Sequence, residues 1–458
     1  WRISGDVNLT GDLVVEGTLT GGDTFTVEGN GHQILFQHGG RADLAGMPKT
    51  AWCRWGDGPV GWQIGDRLSV APTKAERYAP YATIWQGSWE ATIRSANTAD
   101  VPLPDGTVAR PEVVNLSQTA VINGVSRVMF HHGAGVQQLA YLNVRGAGVT
   151  GELGFYPIHF HLNGETVRGS TLAGVVVEDS AHRAFVPHAS HGVTFDGCAA
   201  VGIVEEAYWW DLPPGPGLGR HERVDNNSND TTYDHCLALG VTSSSPRMGA
   251  FSLGAGSGNR CVNSTAAGIK GGVQCGGFAW EERANDNDGG NVWEFTNNVV
   301  HNSWYHGFAS WQNDGPQHPD RVHTITDSVA FSCRSAGIDH GAYTNNYHWK
   351  RIVLGANGFG VASHALPRID VLFEDIVSAD RFRIRPHAVR RELPVVVRRM
   401  TAPGVWFNEG TGKASYYRFE DCGWCPDDFD VSNIHLETVF EIWEGGVLTH
   451  RWADGAWT

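Results

Sequence analysis

His306-Gly307-Phe308-Ala309-Ser310-Trp311 decides how this chain is read, because its glycine-apolar-small pattern returns in three other places. They are Cys275-Gly276-Gly277-Phe278-Ala279-Trp280, Ala336-Gly337-Ile338-Asp339-His340 and Phe359-Gly360-Val361-Ala362-Ser363-His364. The glycines at 277, 307, 337 and 360 stand 30, 30 and 23 residues apart. A second phase accompanies the first, in Asn297-Asn298-Val299-Val300, Asp327-Ser328-Val329-Ala330 and Lys350-Arg351-Ile352-Val353. Short apolar runs separated by Gly, Asn, Asp and Ser corners predict several strands per repeat, with the corner residues supplying the bends. A repeat of that kind and length predicts an all-β chain coiled as a parallel β-helix, or solenoid.

Composition agrees. Gly supplies 58 of 458 residues and charged residues are 18% of the chain, with no stretch long and apolar enough to predict a membrane span. Length alone suggests two or more domains, yet a solenoid grows along one axis without needing a second core. A formal charge of −15 argues against a general nucleic-acid partner, which requires a basic surface. The eight cysteines are dispersed. Cys422-Gly423-Trp424-Cys425 lacks the second pair that a zinc site needs, so a local disulfide or plain core thiols are expected there. The chain opens at Trp1 in strand-like sequence, which suits a processed, secreted protein.

The chemistry gathers in Tyr156-Pro157-Ile158-His159-Phe160-His161. Alternation puts His159 and His161 on one face of a strand and Ile158 and Phe160 on the other. Ala184-Phe185-Val186-Pro187-His188 reads as the next strand with a histidine, and Tyr208-Trp209-Trp210-Asp211 as a third with a carboxylate. If coils stack in register, His159, His161 and His188 become neutral imidazole ligands, with His131 from the coil before and Asp211 or Glu206 adding an oxygen. Such a set suits one divalent transition metal: zinc, copper or iron. Without a metal, the catalytic candidates are Asp211, Glu206, His188 and Arg183. Two carboxyl groups serve hydrolysis, and a histidine with an arginine on a uronate carboxylate serves elimination. Trp209, Trp210, Trp311 and His340 are candidate substrate-binding residues, since aromatic faces stack on sugars, and Trp280 and Trp304 share that character. Stacked polar side chains in a solenoid can also be structural ladders without chemistry.

Residues 1–125 read as an N-terminal β-rich domain stacked on or capping the solenoid. Residues 126–425 read as the β-helix carrying the site, and 426–458 as terminal strands forming a cap.

Several segments resemble one family. Val14-Val15-Glu16-Gly17-Thr18-Leu19, Gly39-Gly40-Arg41-Ala42-Asp43-Leu44-Ala45-Gly46-Met47-Pro48-Lys49-Thr50 and Trp62-Gln63-Ile64-Gly65-Asp66 are similar to the eight-glycine β domain. That domain belongs to the cell-migration-inducing hyaluronan-binding, transmembrane hyaluronidase and fibrocystin-like proteins. Tyr156 to His161, His182 to His188 and Tyr208 to Asp211 are similar to segments that follow it in that family. The resemblance, over about residues 5–215, implies a right-handed parallel β-helix, an extracellular location and a polysaccharide substrate such as hyaluronan. Two positions depart from it. Glu206 stands where the family has a histidine and Pro187 replaces an aliphatic residue, so the substrate does not simply carry over. Three functions are therefore carried forward: a secreted polysaccharide hydrolase or lyase, a metal-dependent oxidative or hydrolytic enzyme on a non-glycan substrate, and a non-catalytic glycan-binding solenoid.

Overall fold

The structure is a computed structural model. It describes residues 1–74, 89–94, 103, 107, 109–209, 228–243, 248–254, 256–271, 275–280, 292–310, 322–341, 346–364, 369–385, 392–407, 414–431 and 434–458. Among these no α-helix occurs, and the strands form three long sheets of 17, 12 and 14 members plus one four-stranded sheet. In each coil the chain passes through the 12-, then the 14-, then the 17-stranded sheet. Strands one coil apart pair in parallel, as Ala120–Asn123 does with Leu142–Arg145. This is the expected parallel β-helix, and among the described residues no helix is long and apolar enough to cross a membrane.

The sequence repeats are the register. Phe278, Phe308, Ile338 and Val361 pair in succession, so glycines 277, 307, 337 and 360 fall on one column. There a side chain would collide with the coil wall: a Cβ on Gly277 would lie 2.2 Å from Val300 Cγ2. The second phase holds with one adjustment. Val299 and Val329 pair with each other as expected, but the third partner is Val353, so Arg351 and not Lys350 aligns with Asn297 and Asp327. Asn263, Asn297, Asp327, Arg351, Asp375, Arg399 and Asp421 occupy one corner, each with φ between 49° and 56°. Asn and Asp tolerate this left-handed conformation. The two arginines gain partners along the column, Arg351 on Asp327 at 2.7 Å and Arg399 on Asp375 at 2.6 Å.

The boundary expected at residue 125 falls elsewhere. Phe25–Glu28, Gln33–Phe36 and Arg41–Ala45 pair directly with Ala120–Asn123, Arg127–His131 and Gln138–Ala140, so residues 2–45 are the first coils of the same solenoid. The distinct unit is an insertion between neighbouring coils. Trp52–Arg54, Arg67–Val70, Trp89–Thr92 and Glu112–Asn115 form an antiparallel side sheet. It lies against the outer face of the 12-stranded sheet, where Trp52, Val114 and Leu116 meet Val176, Ala199, Val201, Leu237 and Leu239. That sheet is therefore covered on both faces, which explains the unbroken apolar run Leu237-Ala238-Leu239-Gly240-Val241. Polar contacts pin the insertion down. His301 Nε2 lies 2.8 Å from Glu112 Oε2, and the Trp52 indole N–H donates to the His235 carbonyl. The outer face of the 17-stranded sheet carries Gln138, Thr171, Thr194, Thr232, Arg260 and Glu294 in sequence and meets water.

At the far end Val439–Glu444 and Val447–Ala453 turn back antiparallel through Gly445-Gly446, both with φ above zero as a tight hairpin requires. Trp457 closes over Phe429 and Phe440 and seals the last coil.

Candidate metal centre

The histidines sit on the outer face of the 14-stranded sheet, where His161 and His188 are half-buried and His159 is buried. Ile158 and Phe160 point into the core, as does Phe185 on the next coil. His159 and His161 therefore point outward, and the pairing of His161 with His188 brings the third imidazole alongside. One nitrogen from each of His159, His161 and His188 lies within 4.8 Å of the others. His161 stands at 5.0 Å, centroid to centroid, from each of the other two rings, which are parallel to one another.

Register is what assembles this group, and a bend just past the histidines, at an irregularity in the pairing of Ile158–Gly164 with Phe185–Ser190, fixes it. Asn163 donates from Nδ2 to the Phe130 carbonyl of the preceding coil, while its Oδ1 accepts from the Ala134 N–H. The residues that follow the aligned histidines, His132, Leu162 and Ala189, all have φ between 42° and 53°. Three successive coils thus turn at the same point.

Each ring is held differently. His159 is buried, and its Nδ1 lies 3.1 Å from the Gly154 carbonyl. A carbonyl can only accept, so Nδ1 carries the proton and Nε2 the lone pair. Nε2 is buried with no hydrogen-bond partner among the described residues. Arg127 also donates to the Gly154 carbonyl while its guanidinium packs on Phe155, which fixes the turn that orients His159. Burial, reinforced by the adjoining His161 and His188, pushes His159 well below the ordinary histidine range. It is neutral at physiological pH, the form that ligates metal. An oriented imidazole with an orphaned lone pair, facing two others, fits a transition ion bound by three histidines.

Other expected site residues are placed differently. His131 aligns with His161, but its ring lies 4.2 Å, centroid to centroid, from His132 and is not in the three-histidine group. Burial, with the charges of His132 and Arg127, drives His131 down to about 4. Glu206 is buried and spends Oε2 on Arg183 Nε at 2.6 Å, so it does not flank an open groove as a glycosidase acid would. Burial raises its carboxyl pKa against the opposing charge of Arg183. The Arg183 guanidinium in turn lies 3.8 Å from the centre of the Trp209 ring, covering the face expected to stack on sugar. Trp209 packs with Tyr156 and Val186 and is 1% exposed. His340 is also a correction: it shares the inward parity of Ile338 and sits in the core among Tyr347, Trp349 and Phe373. Trp280 is likewise core. Trp210, Asp211, Glu281, Glu282 and Trp311 lie outside the described residues. All eight cysteines are free, Cys422 and Cys425 included.

Sequence reasoning missed Tyr156, whose ring lies 4.8 Å from both His159 and His182 and roofs the centre. Its place two residues before Ile158 was the available signal. Asn163 was missed as well; it sits at an irregularity within the strand Ile158–Gly164, and Asn is a recurrent residue at such bends.

No curated protein matches the chain. Among solved structures, the receptor-binding tailspike of bacteriophage Det7 is similar at 12% identity, with 94% of this chain and 72% of that one covered and a TM-score of 0.32. The tailspike gp61 of Pseudomonas phage phi297 is similar at 11% identity, covering 96% and 74%, with a TM-score of 0.23. The gp54 tailspike of Acinetobacter baumannii bacteriophage AP22, solved with capsular saccharide, is similar at 8% identity, covering 90% and 72%, with a TM-score of 0.19. Likenesses this distant carry no argument, and the fold stands on the strand pairing itself. A narrower match falls on the centre: residues 124–232, which hold all three clustered histidines and the coils that align them, match the model of the CEMIP beta-helix family.

Proposed function

We propose that the protein is a secreted, metal-dependent enzyme that cleaves an extracellular polysaccharide of the uronate-containing, hyaluronan-like class. The observation that carries the reading is the convergence of three imidazole nitrogens within 4.8 Å on the outer face of one sheet. The family match over the same coils supports it. A bound transition ion supplies Lewis acidity and lowers the pKa of its water. The protein contributes the rest. The Gly154 carbonyl holds His159 in the tautomer that offers Nε2, Tyr156 and Trp209 keep water from one side, and Glu206 and Trp209 fix the Arg183 guanidinium at the rim. Buried there, with Nε on Glu206 and its face on Trp209, Arg183 braces one wall of the centre and is not a proton donor.

Elemental analysis of protein purified without added metal tests the reading, together with a polysaccharide panel followed by reducing ends and by ultraviolet absorbance of unsaturated products. About one transition ion per chain and chelator-sensitive cleavage are expected. Reducing ends without absorbance mean hydrolysis, and absorbance means elimination. Cleavage by ion-free, chelator-resistant protein removes the metal, and binding without any product leaves a glycan-binding solenoid.

A further inference from the structure

Around the corner from the histidines, where the 12-stranded sheet passes into the 14-stranded one, lies a cleft of about 510 Å³ lined by Glu205, Thr242, Ser243, Lys270 and Trp304. Its size is that of a small-ligand site. The cleft is built by successive coils. Val204, Thr242 and Lys270 pair in one column, and Trp304 follows Ser303, the partner of Ile269. From Glu205 to Trp304 is three coil steps, about 14 Å at strand spacing, the span of a short oligosaccharide.

Its side chains form a mixed set. Trp304 is half-buried, and the Arg334 guanidinium lies 4.7 Å from its ring centre and steadies it. Lys270 is exposed and makes no ion pair among the described residues, whereas Lys49 and Lys350 pair with Asp66 and Glu374. An ammonium with no ion-pair partner among the described residues, in a chain of charge −15, is a place for an anion. Glu205 holds φ at 70°, unusual for Glu, and accepts from Ser243 Oγ at 3.1 Å. It also lies 3.8 Å from Arg183, which links the cleft to the rim of the histidine centre.

We infer that this cleft is a second subsite for the polymer, binding an acidic sugar unit with Trp304 as stacking platform and Lys270 as partner of the sugar carboxylate. Glu205 and Ser243 face the sugar hydroxyls. The inference rests on the polysaccharide reading above, and it adds the direction of the chain: from the histidines across Arg183 and Glu205 toward Trp304.

The test uses the full chain, a glucuronate-containing hyaluronan oligosaccharide and its carboxyl-reduced counterpart. Trp304→Ala and Lys270→Gln are each expected to raise KM, or Kd by titration, about tenfold for the acidic oligosaccharide, with kcat and bound metal unchanged. Lys270→Arg restores most of the affinity, and the reduced oligosaccharide is indifferent to Lys270→Gln. Trp304→Phe, with thermal unfolding of every variant, separates lost stacking from lost folding. Wild-type KM in both variants while the polymer is still cleaved overturns the subsite and leaves the histidine centre standing. Equal loss on both oligosaccharides in Lys270→Gln overturns the acidic-sugar assignment. No binding of any polysaccharide by the wild-type protein defeats this inference and the proposed function together.

Discussion

The coils Ile158–Gly164 and Phe185–Ser190 and the coils His306–Ser310 and Ala336–His340 belong to the same 14-stranded sheet, and both pairs carry histidines. In the first pair the rings meet on the outer face. In the second, His340 lies inside the core and His306 is buried 3.5 Å from Asp339. One position of parity separates the two outcomes: His159 follows the inward Ile158 directly, whereas His340 stands two places from the inward Ile338. Histidine content on a solenoid face therefore says little until each ring is placed against the core residues of its own strand.

The largest effect expected from this contrast is chemical. His161→Ala or His188→Ala should remove the bound ion and lower activity about a thousandfold, with little loss of folding, because both rings lie outside the core. Ion stoichiometry by mass spectrometry and circular dichroism check the two halves of that statement. Full metal occupancy in both variants would show that the three rings are a ladder and not a ligand set.

A third circumstance for histidine sharpens the comparison. His301 is on the outer face of the 12-stranded sheet, buried against Glu112 of the side sheet. Burial pushes the Glu112 carboxyl up, but the charge and hydrogen bond of His301 with the charge of Arg54 together bring it below 4.5. Burial pushes His301 down, but the charge of Glu112 with the hydrogen bonds of Glu112 and Asn302 together bring it above 6.5. A depressed carboxyl contributes stability above its unfolded pKa and loses it as pH falls through the folded one. A raised imidazole contributes below its unfolded pKa and loses it as pH rises through the folded one. Docking of the side sheet is therefore strongest between 4.5 and 6.5 and weakens on either side. Glu112→Gln should lower the opening free energy of Glu112–Asn115 by about 3–5 kcal/mol, read by hydrogen exchange, and should flatten the pH dependence. A pH profile unchanged by the substitution would locate the titration elsewhere.

His340→Ala should do the reverse of the first substitution, costing about 2–4 kcal/mol of stability through a cavity beside Trp349 and Phe373 while leaving metal content at the wild-type level. Denaturant unfolding and elemental analysis on the same sample decide it.

What the sequence allowed, and what it withheld, follows from the range of the interactions. The repeat at glycines 277, 307, 337 and 360 is local and periodic, so it fixed both fold and register. The outward parity of His159 and His161 was equally legible from Ile158 and Phe160. The parity of His340 was legible too, since Ile338 shows it, but a histidine on a strand suggests exposure more strongly than its neighbours warrant. The insertion was beyond reach. Asp43 pairs with Gln138, 95 residues onward, and nothing near either residue announces the other. Trp209 failed for a related reason: alternation predicts which way a ring points but not that Arg183, from the coil before, lies over it.

The smallest effect tests whether belonging to a column suffices for belonging to the centre. His131 stands in the column of His161 and His188, so strand register alone would make it a fourth ligand. Its ring packs against His132, its Nε2 is buried without a hydrogen-bond partner among the described residues, and its pKa near 4 keeps it neutral. Neutrality alone does not recruit it, because ligation needs a nitrogen facing the other three. His131→Ala should leave one ion per chain and change metal affinity less than about threefold. Replacing a half-buried ring whose Nε2 has no partner among the described residues should alter stability by about 1 kcal/mol or less, since the packing lost is offset by the desolvation relieved. A competition titration with a chelating dye resolves a shift of that size. Loss of the ion in this variant alone would extend the ligand set along the column and move the centre one coil toward the N-terminus.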